Sequence, residues 1–272
     1  MLAFGLEARA GGRRIGFVPT MGALHEGHLS LIRKSVLEND VTVVSIFVNP
    51  KQFNNPTDLE NYPRFEDRDL ELLEGENCDI AFVPAHDEVY PRDLPKPVEL
   101  GRLGSILEGA FRPGHFDGVT TVVKRLFELV NPDRAYFGQK DYQQLAVIRF
   151  MTTTLGLDID IISCPTSRSP EGLALSSRNL LLSEGEKMNA LLFSQCLDLA
   201  RNNIYSESVD EIKRKVTKAF SEDGLCRLEY FEIADSESLE PVEEAGDGRS
   251  LVGLIAGYAG KVRLIDNLIL IP

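Results

Sequence analysis

Apolar residues in this chain recur in two rhythms, and the rhythm changes after Arg178. Before that point, short, largely apolar runs stand at 15–19, 41–48, 79–84, 134–138 and 158–164. Apart from Asp158-Ile159-Asp160-Ile161, these runs show no regular polar alternation that would mark a solvent face, so they predict strands buried on both sides. Between them the spacing is helical and predicts helices over 27–38, 66–75, 117–130 and 141–155. The clearest is the third: Val119, Val122, Val123, Leu126 and Val130 follow the i, i+3, i+4, i+7, i+11 rule, and Asn131-Pro132 stops the pattern. Strands alternating with helices predict an α/β fold built on a Rossmann-like, doubly wound parallel sheet.

Beyond Arg178 two helical patterns follow, at 184–203 and 208–221, the second with Val209, Ile212, Val216 and Phe220 on one stripe. Three β-like runs come next, at 228–234, 251–258 and 261–269, and the Ala259-Gly260 turn between the last two predicts a hairpin. The stretch 237–249 is acidic and glycine-containing, as a surface loop is. Helices followed by antiparallel strands predict a smaller C-terminal α+β domain. The expected division is residues 1–170 for the Rossmann-like domain and 171–272 for the smaller one.

Composition changes this picture mainly by exclusion. The 272 residues are 43% hydrophobic and 26% charged, ordinary for a globular protein. No apolar run reaches the ~18–20 residues of a membrane span, and the opening MLAFGLEARAGGRR lacks the basic-then-apolar order of a secretory signal. The expectation is a cytoplasmic protein with no membrane partner. Net charge is −13, from 29 basic and 42 acidic residues, so the field repels nucleic acid and no nucleic-acid partner is expected. An anionic substrate then requires a local basic cluster. The four cysteines, Cys78, Cys164, Cys196 and Cys226, have no CxxC spacing, and three lie in apolar surroundings, which reads as buried free thiols.

The candidate chemistry sits where the predicted strands end. Ligands of an open parallel sheet bind outside the carboxyl ends of its strands. Directly after the first strand comes Thr20-Met21-Gly22-Ala23-Leu24-His25-Glu26-Gly27-His28, with His25 at the helix start. Free N–H groups and the dipole there favour an anion. His25 and His28, three residues apart, share one face of the first turn, and Gly27 removes a side chain so that a flat ring can approach the backbone. A zinc-protease helix is excluded, because HExxH needs its second histidine where this chain has Leu29. A pair of surface histidines without a ligand is the alternative from these two residues alone.

Further polar groups follow other strands. Val48-Asn49-Pro50-Lys51-Gln52-Phe53 follows the second, and Phe137-Gly138-Gln139-Lys140-Asp141-Tyr142-Gln143-Gln144 ends the fourth. Arg112-Pro113-Gly114-His115-Phe116-Asp117-Gly118 stands before the third helix, and Gly172-Leu173-Ala174-Leu175-Ser176-Ser177-Arg178-Asn179 lies at the domain junction. Gln52 and Gln144 suit the hydroxyls of a small polyol acid. Lys140, Arg178 and the histidines suit phosphate charge that shifts during displacement at phosphorus, and Asp141 suits a ribose. Together they describe a site that activates a carboxylate with ATP.

The motif His25-Glu26-Gly27-His28 resembles that of HIGH-type nucleotidyltransferases, the superfamily that includes class I aminoacyl-tRNA synthetases. The ordered series RIGFVPTMGALHEGH, VNPKQF, YPR, RPGHFDGV, FGQKDYQQL, GLALSSRN and GKVRLIDN resembles, over nearly the whole chain, the pantothenate synthetase (pantoate–β-alanine ligase) family. The resemblance implies a Rossmann-type N-terminal domain, a smaller C-terminal domain that closes over the site, and a homodimer. It implies ATP as co-substrate, Mg2+ carried in on the ATP phosphates with no direct protein ligand assigned, and pantoate and β-alanine as substrates. His25, His28, Lys140 and Arg178 are implied to bind phosphates and stabilise the adenylation transition state, with Ser176 and Ser177 beside them on the closing segment. Met21 and Gly27 belong to the same ATP site, and Gly138 and Asp141 are implied at the adenosine. Gln52 and Gln144 are implied to grip the two pantoate hydroxyls near Met21, with Asn49 and His115 completing the acid pocket. Arg168-Ser169-Pro170-Glu171-Gly172 departs from the acidic residue and DGLA usual after that arginine, and the usual leading helix is expected in abbreviated form. Two rivals remain at this point: a nucleotidyltransferase acting on a phosphate acceptor, and a nucleotide-binding regulator without turnover.

Overall fold

In the computed structural model, which describes residues 1–90, 97–246 and 248–272, the five apolar runs of the first half form five strands. They are β1 (Ile15–Thr20), β2 (Val41–Ile46), β3 (Ile80–Phe82), β4 (Arg134–Gly138) and β5 (Asp160–Cys164), all parallel, in the order β3-β2-β1-β4-β5. The helices of this part are α1 (Leu2–Ala10), α2 (Glu26–Glu38), α3 (Pro56–Glu60), α4 (Glu66–Gly75), α5 (His86–Val89), α6 (Glu108–Phe111), α7 (His115–Val130) and α8 (Tyr142–Thr154). All six residues of β2 are buried, as an apolar run without alternation requires. One face of the sheet packs Phe17, Val43 and Ala135 against the apolar stripe of α7, and the other packs Val18, Val44 and Tyr136 against Leu29 and Ile32 of α2.

The chain divides into two units, Met1–Pro165 and Thr166–Pro272, so residues 166–170 belong with the second unit. That unit holds α9 (Glu184–Asn189), α10 (Leu191–Asn203) and α11 (Val209–Asp223), followed by the antiparallel sheet β6 (Cys226–Asp235), β7 (Leu251–Ala259) and β8 (Val262–Ile271). The continuous helix expected over 184–203 is two helices that part at Ala190. Ser183 caps the first with a reciprocal bond to Glu186, an N-terminal signal that the hydrophobic period alone does not carry. The β7–β8 hairpin turns at Gly260, whose φ of +56° suits a residue without a Cβ. Phe193 and Leu197 of α10 with Ile212, Val216 and Phe220 of α11 form this unit's core against the sheet. Cys164, Cys196 and Cys226 are buried free thiols, and Cys78 is half-buried and free. Among the described residues no helix is long and apolar enough to cross a membrane. Asp247 of the 237–249 loop lies outside the described residues. YPR occurs at 62–64 and again at 90–92, where of the three only Tyr90 is described.

One detail of the parallel sheet sets the place of the site. β1 pairs with β2 along its whole length, to Thr20 and Ile46, whereas its pairing with β4 covers Gly16 with Arg134 and Phe17 with Ala135. Pro19 has no N–H with which to extend that ladder. β1 and β4 thus part toward their carboxyl ends, at the point where strand order reverses, and such a crevice is where α/β sheets bind ligands.

Candidate active site

The loop after β1 enters this crevice under tight control. Thr20 Oγ1 donates to Ser45 O at 2.7 Å and accepts from Gly22 N at 3.1 Å. Ala23 takes a left-handed φ of +50°, and its N–H donates to Asp69 Oδ2 at 2.7 Å while Leu24 N donates to Asp69 Oδ1 at 2.8 Å. Asp69, in α4, is buried, with 1% of its surface exposed. A carboxylate that accepts two backbone N–H groups holds an otherwise disfavoured turn in place, so Asp69 aims the residues that follow it. Sequence reasoning missed this residue. Its one trace is that Asp69 stands four residues before buried Leu73, which puts a charge on the apolar face of an amphipathic helix.

His25 is the N-cap of α2. Its Nδ1 accepts from Gly27 N at 3.1 Å, and His28 Nδ1 accepts from His25 N at 3.4 Å, a reciprocal capping box made by two imidazoles. Their ring centroids are 4.1 Å apart. Burial and the nearby Lys140 ammonium lower His25 to a pKa of about 4. Burial, His25 and Lys140 push His28 well below the ordinary histidine value. Both rings are therefore neutral at pH 7, and because each Nδ1 accepts, each proton sits on Nε2. In the free protein they are uncharged N–H donors, and the cation beside them is Lys140.

Gly138 ends β4, and a Cβ placed on it would meet no protein atom within 4 Å. Asp141 precedes α8 without capping it, and its carboxylate lies 3.6 Å from Lys140 Nζ. The next two glutamines differ sharply. Gln143 is buried, accepts from Glu108 N at 2.9 Å, and donates to Leu103 O and Ile106 O at 2.8 and 2.9 Å. Gln144, half-buried in the first turn of α8, makes no side-chain hydrogen bond among the described residues. A polar amide left open beside a fully engaged twin is a group available to a ligand.

After β2, Gln52 Nε2 donates to Met21 Sδ at 2.8 Å, and Gln52 Oε1 accepts from Asn49 Nδ2 at 3.1 Å. Asn49 is buried, and its amide is fully engaged. Nδ2 also donates to Gly118 O at 3.1 Å, while Oδ1 accepts from Lys51 N at 3.2 Å and from the Tyr90 hydroxyl at 2.5 Å. Buried His115 bonds through Nδ1 to Gln52 O at 2.7 Å, and burial with the Arg112 charge lowers its pKa to about 4. A Cβ on Gly118 would stand 2.3 Å from Lys51 O, so this glycine lets the first turn of α7 seat directly on the 50–52 turn. Asn49 and His115, expected as members of the acid pocket, are thus bonded to Gln52 itself. Asn49 retains no bonding capacity for a ligand, because its donors and acceptor are engaged by the protein.

In the second unit Ser176 caps the short 3-10 helix Ser177–Leu181, accepting from Arg178 N at 3.3 Å, with Ser177 buried and Arg178 half-buried. The first unit therefore brings together Met21, Gln52, Asn49 and His115 by hydrogen bonds, and His25, His28, Lys140 and Asp141 by charge and ring contact. Ser176, Ser177 and Arg178 stand on the second unit.

Comparison with known proteins agrees in sequence and in structure. Residues 3–269 match the family described as Pantoate-beta-alanine ligase. The pantothenate synthetase of Bacteroides thetaiotaomicron is 49% identical over 260 residues, covering 96% of this chain and 92% of its own. That of Thermotoga petrophila is 49% identical over 272 residues, covering 99% and 96%. The crystal structure of pantothenate synthetase from Thermus thermophilus superposes with a TM-score of 0.91 at 43% identity, covering 98% of each chain. The pantoate-beta-alanine ligase of Francisella tularensis, complexed with beta-gamma ATP and beta-alanine, superposes with a TM-score of 0.80 at 37% identity, covering 99% of this chain and 95% of that one. With nearly the whole length matched, the same two-part fold, and a histidine-capped helix beside a parted sheet, this chain belongs to the pantoate-beta-alanine ligase family of enzymes.

Proposed function

We propose that this protein condenses D-pantoate with β-alanine, using ATP, through an enzyme-bound pantoyl adenylate. The pantoate carboxylate attacks the α-phosphorus of ATP and pyrophosphate leaves. The neutral amine of β-alanine then attacks the acyl carbon, AMP leaves with the acyl C–O electron pair, the nitrogen releases one proton, taken up in the end by the buffer, and pantothenate forms. The observation that carries this reading is the pair of uncharged imidazole donors, His25 and His28, next to Lys140 at the crevice where β1 and β4 part. Neutral N–H donors held in place by their own cap follow charge as it moves from the α-phosphate to pyrophosphate without reorienting. Lys140 supplies a local positive charge against the protein's net charge of −13. Gly138 admits the nucleoside, since its open side leaves room for a flat group, and Asp141, with a carboxylate not engaged in capping, receives the ribose.

Gln52, oriented by Met21 and Asn49, and the open amide of Gln144 hold the pantoate hydroxyls. Asn49 and His115 act by fixing Gln52. The C-terminal unit acts as a lid that brings Ser176, Ser177 and Arg178 to the phosphates and keeps water from the mixed anhydride. Mg2+ enters on the ATP phosphates. Among the described residues no three His, Cys, Asp or Glu side chains cluster as ligands, and Mg2+ held chiefly by phosphate and water fits that donor set. Its contribution when bound is to offset phosphate charge. By family likeness we also assign the protein to a homodimer in the cytoplasm.

The test is pyrophosphate release from MgATP and D-pantoate, with and without β-alanine, while AMP and pantothenate are followed. Sustained turnover that requires both acids supports the ligase. Folded, ATP-binding protein that releases no pantoate-dependent pyrophosphate refutes the substrate assignment.

A further inference from the structure

The segment carrying Ser176, Ser177 and Arg178 is preceded by the loop whose sequence departs from the family pattern, and the mechanism above gives that loop no task. In the structure residues 167–175 fold back on themselves. Arg168 and Ala174 form an antiparallel bridge, Ser169 N donates to Leu173 O at 2.8 Å, and Leu175 N donates to Ser167 O at 2.9 Å. The two departing residues close the tip. Ser169 Oγ accepts from Leu173 N at 3.3 Å, and the Ser169 side chain also bonds Glu171, holding that carboxyl below its ordinary value.

The base of this hairpin is tied to the last strand. Arg168 forks onto Asp266, Nη1 to Oδ2 at 2.6 Å and Nη2 to Oδ1 at 2.8 Å. The same two nitrogens donate to Gly172 O at 3.1 Å and Asn267 O at 3.2 Å. Asp266 and Asn267, both in β8, are buried, and Asp266 Oδ1 accepts in addition from Asn267 N at 2.7 Å. A two-point fork sets direction as well as distance, which a single ammonium cannot do. The hairpin ladder ends at Leu175, the residue before Ser176. Asn179 Nδ2 donates back to Ala174 O at 3.0 Å, so the short helix bearing Arg178 is tied to the hairpin by this bond as well as by the chain at Leu175–Ser176.

We infer that Arg168 and Asp266 are positioning residues for the adenylation step: their fork, seated on buried Asp266 and joining β8 to the hairpin 167–175, holds Ser176, Ser177 and Arg178 in the conformation that meets the triphosphate. This rests on the assignment of Arg178 to the ATP phosphates. It explains why an arginine ahead of the closing segment and an aspartate near the end of the chain, 98 positions apart, belong to one device.

The test uses the full chain and pantoate-dependent exchange of pyrophosphate into ATP, with four variants: Arg178→Ala, Arg168→Lys, Asp266→Asn and the double variant Arg178→Ala/Arg168→Lys. Arg168→Lys keeps the charge pair but loses the fork, so it carries the test even if Asp266→Asn fails to fold. Arg178→Ala lowers the exchange kcat by about 100-fold, as one lost electrostatic contact does. Arg168→Lys lowers it by about tenfold through misplacement, with the pantoate KM unchanged, and the assay runs well below a melting temperature that the lost bonds lower. The double variant is no slower than Arg178→Ala, because the fork acts through Arg178. The inference is overturned if Arg168→Lys exchanges at the wild-type rate, or if the two losses multiply, which is how an unrelated structural defect behaves. A wild-type rate for Arg178→Ala overturns the phosphate assignment and this inference with it.

Discussion

Replacing His25 by Asn separates the two tasks that the structure gives to one ring. As N-cap, His25 accepts from Gly27 N at 3.1 Å, and asparagine is among the best residues for that position, so the cap survives. At pH 7.5 the variant should match the wild type in stability within about 0.5 kcal/mol. Acid separates them. His25 titrates near pH 4 in the folded protein, against about 6.5 when unfolded. The unfolded chain therefore binds more protons between those values, and the stability that His25 contributes is full above pH 6.5 and is lost as pH falls toward 4. By linkage the wild type loses about 2.5 kcal/mol through this group between pH 7.5 and 4.5, and the variant loses none of that share. His115 titrates in both proteins, while His28, relieved of the His25 charge, is held less far below its ordinary value in the variant, so the difference reports the coupled His25–His28 pair. Urea unfolding followed by circular dichroism measures it, since the chain has no tryptophan to report. In parallel, the lost Nε2–H donor should slow adenylation by about 100-fold at pH 7.5. Equal acid losses in the two proteins refute the neutral-imidazole assignment. Unimpaired adenylation removes His25 from the phosphate site.

Four more substitutions probe the surrounding geometry. Asp69→Asn turns one acceptor into a donor facing a backbone N–H, which costs about 1–3 kcal/mol and should slow pyrophosphate exchange even where the protein remains folded; a variant with wild-type melting temperature and rate would show that the loop after β1 holds itself. Gly138→Ala adds a methyl group that meets no protein atom, so its melting temperature should not move while the KM for ATP rises severalfold, and an unchanged KM sinks the adenosine placement. Gln144→Ala should raise the pantoate KM without changing stability. The neighbouring Gln143→Ala strands Glu108 N, Leu103 O and Ile106 O, so it should destabilise by about 3 kcal/mol, and thermal melts that fail to separate the two glutamines contradict the division.

Much of this fold was legible because its signals are local. A run such as Val41–Ile46 needs no partner to declare itself, since five β-branched residues among six suit a strand covered on both faces. The stripe from Val119 to Val130 and its stop at Asn131-Pro132 are equally self-contained, although the helix begins two residues earlier than its period indicates, at His115 behind a left-handed Gly114. The break at Ala190 was not legible, because no proline or glycine marks it and Ala190 is itself a good helix former. For the site, the motif residues His25, His28, Gln52, Lys140 and Gln144 were readable by type and by their place after predicted strands. Asp69 was not, because a single aspartate in an acidic helix looks like one more solvated charge.

By itself, then, the sequence determined the order of the elements, the strand edge at which polar groups gather, and the family resemblance that named a chemistry. Tertiary structure decided which of those groups face a ligand and which hold the others. Asn49 meets Gly118 across 69 positions, Ala23 meets Asp69 across 46, and Arg168 meets Asp266 across 98. It also decided charge. Two histidines that titrate near neutrality in an open chain are uncharged here, because burial removes the water that would stabilise their cations and Lys140 adds a like charge beside them. Periodicity and residue type act over a few neighbours along the chain, whereas hydrogen-bond partners and solvation depend on what the folded chain brings alongside.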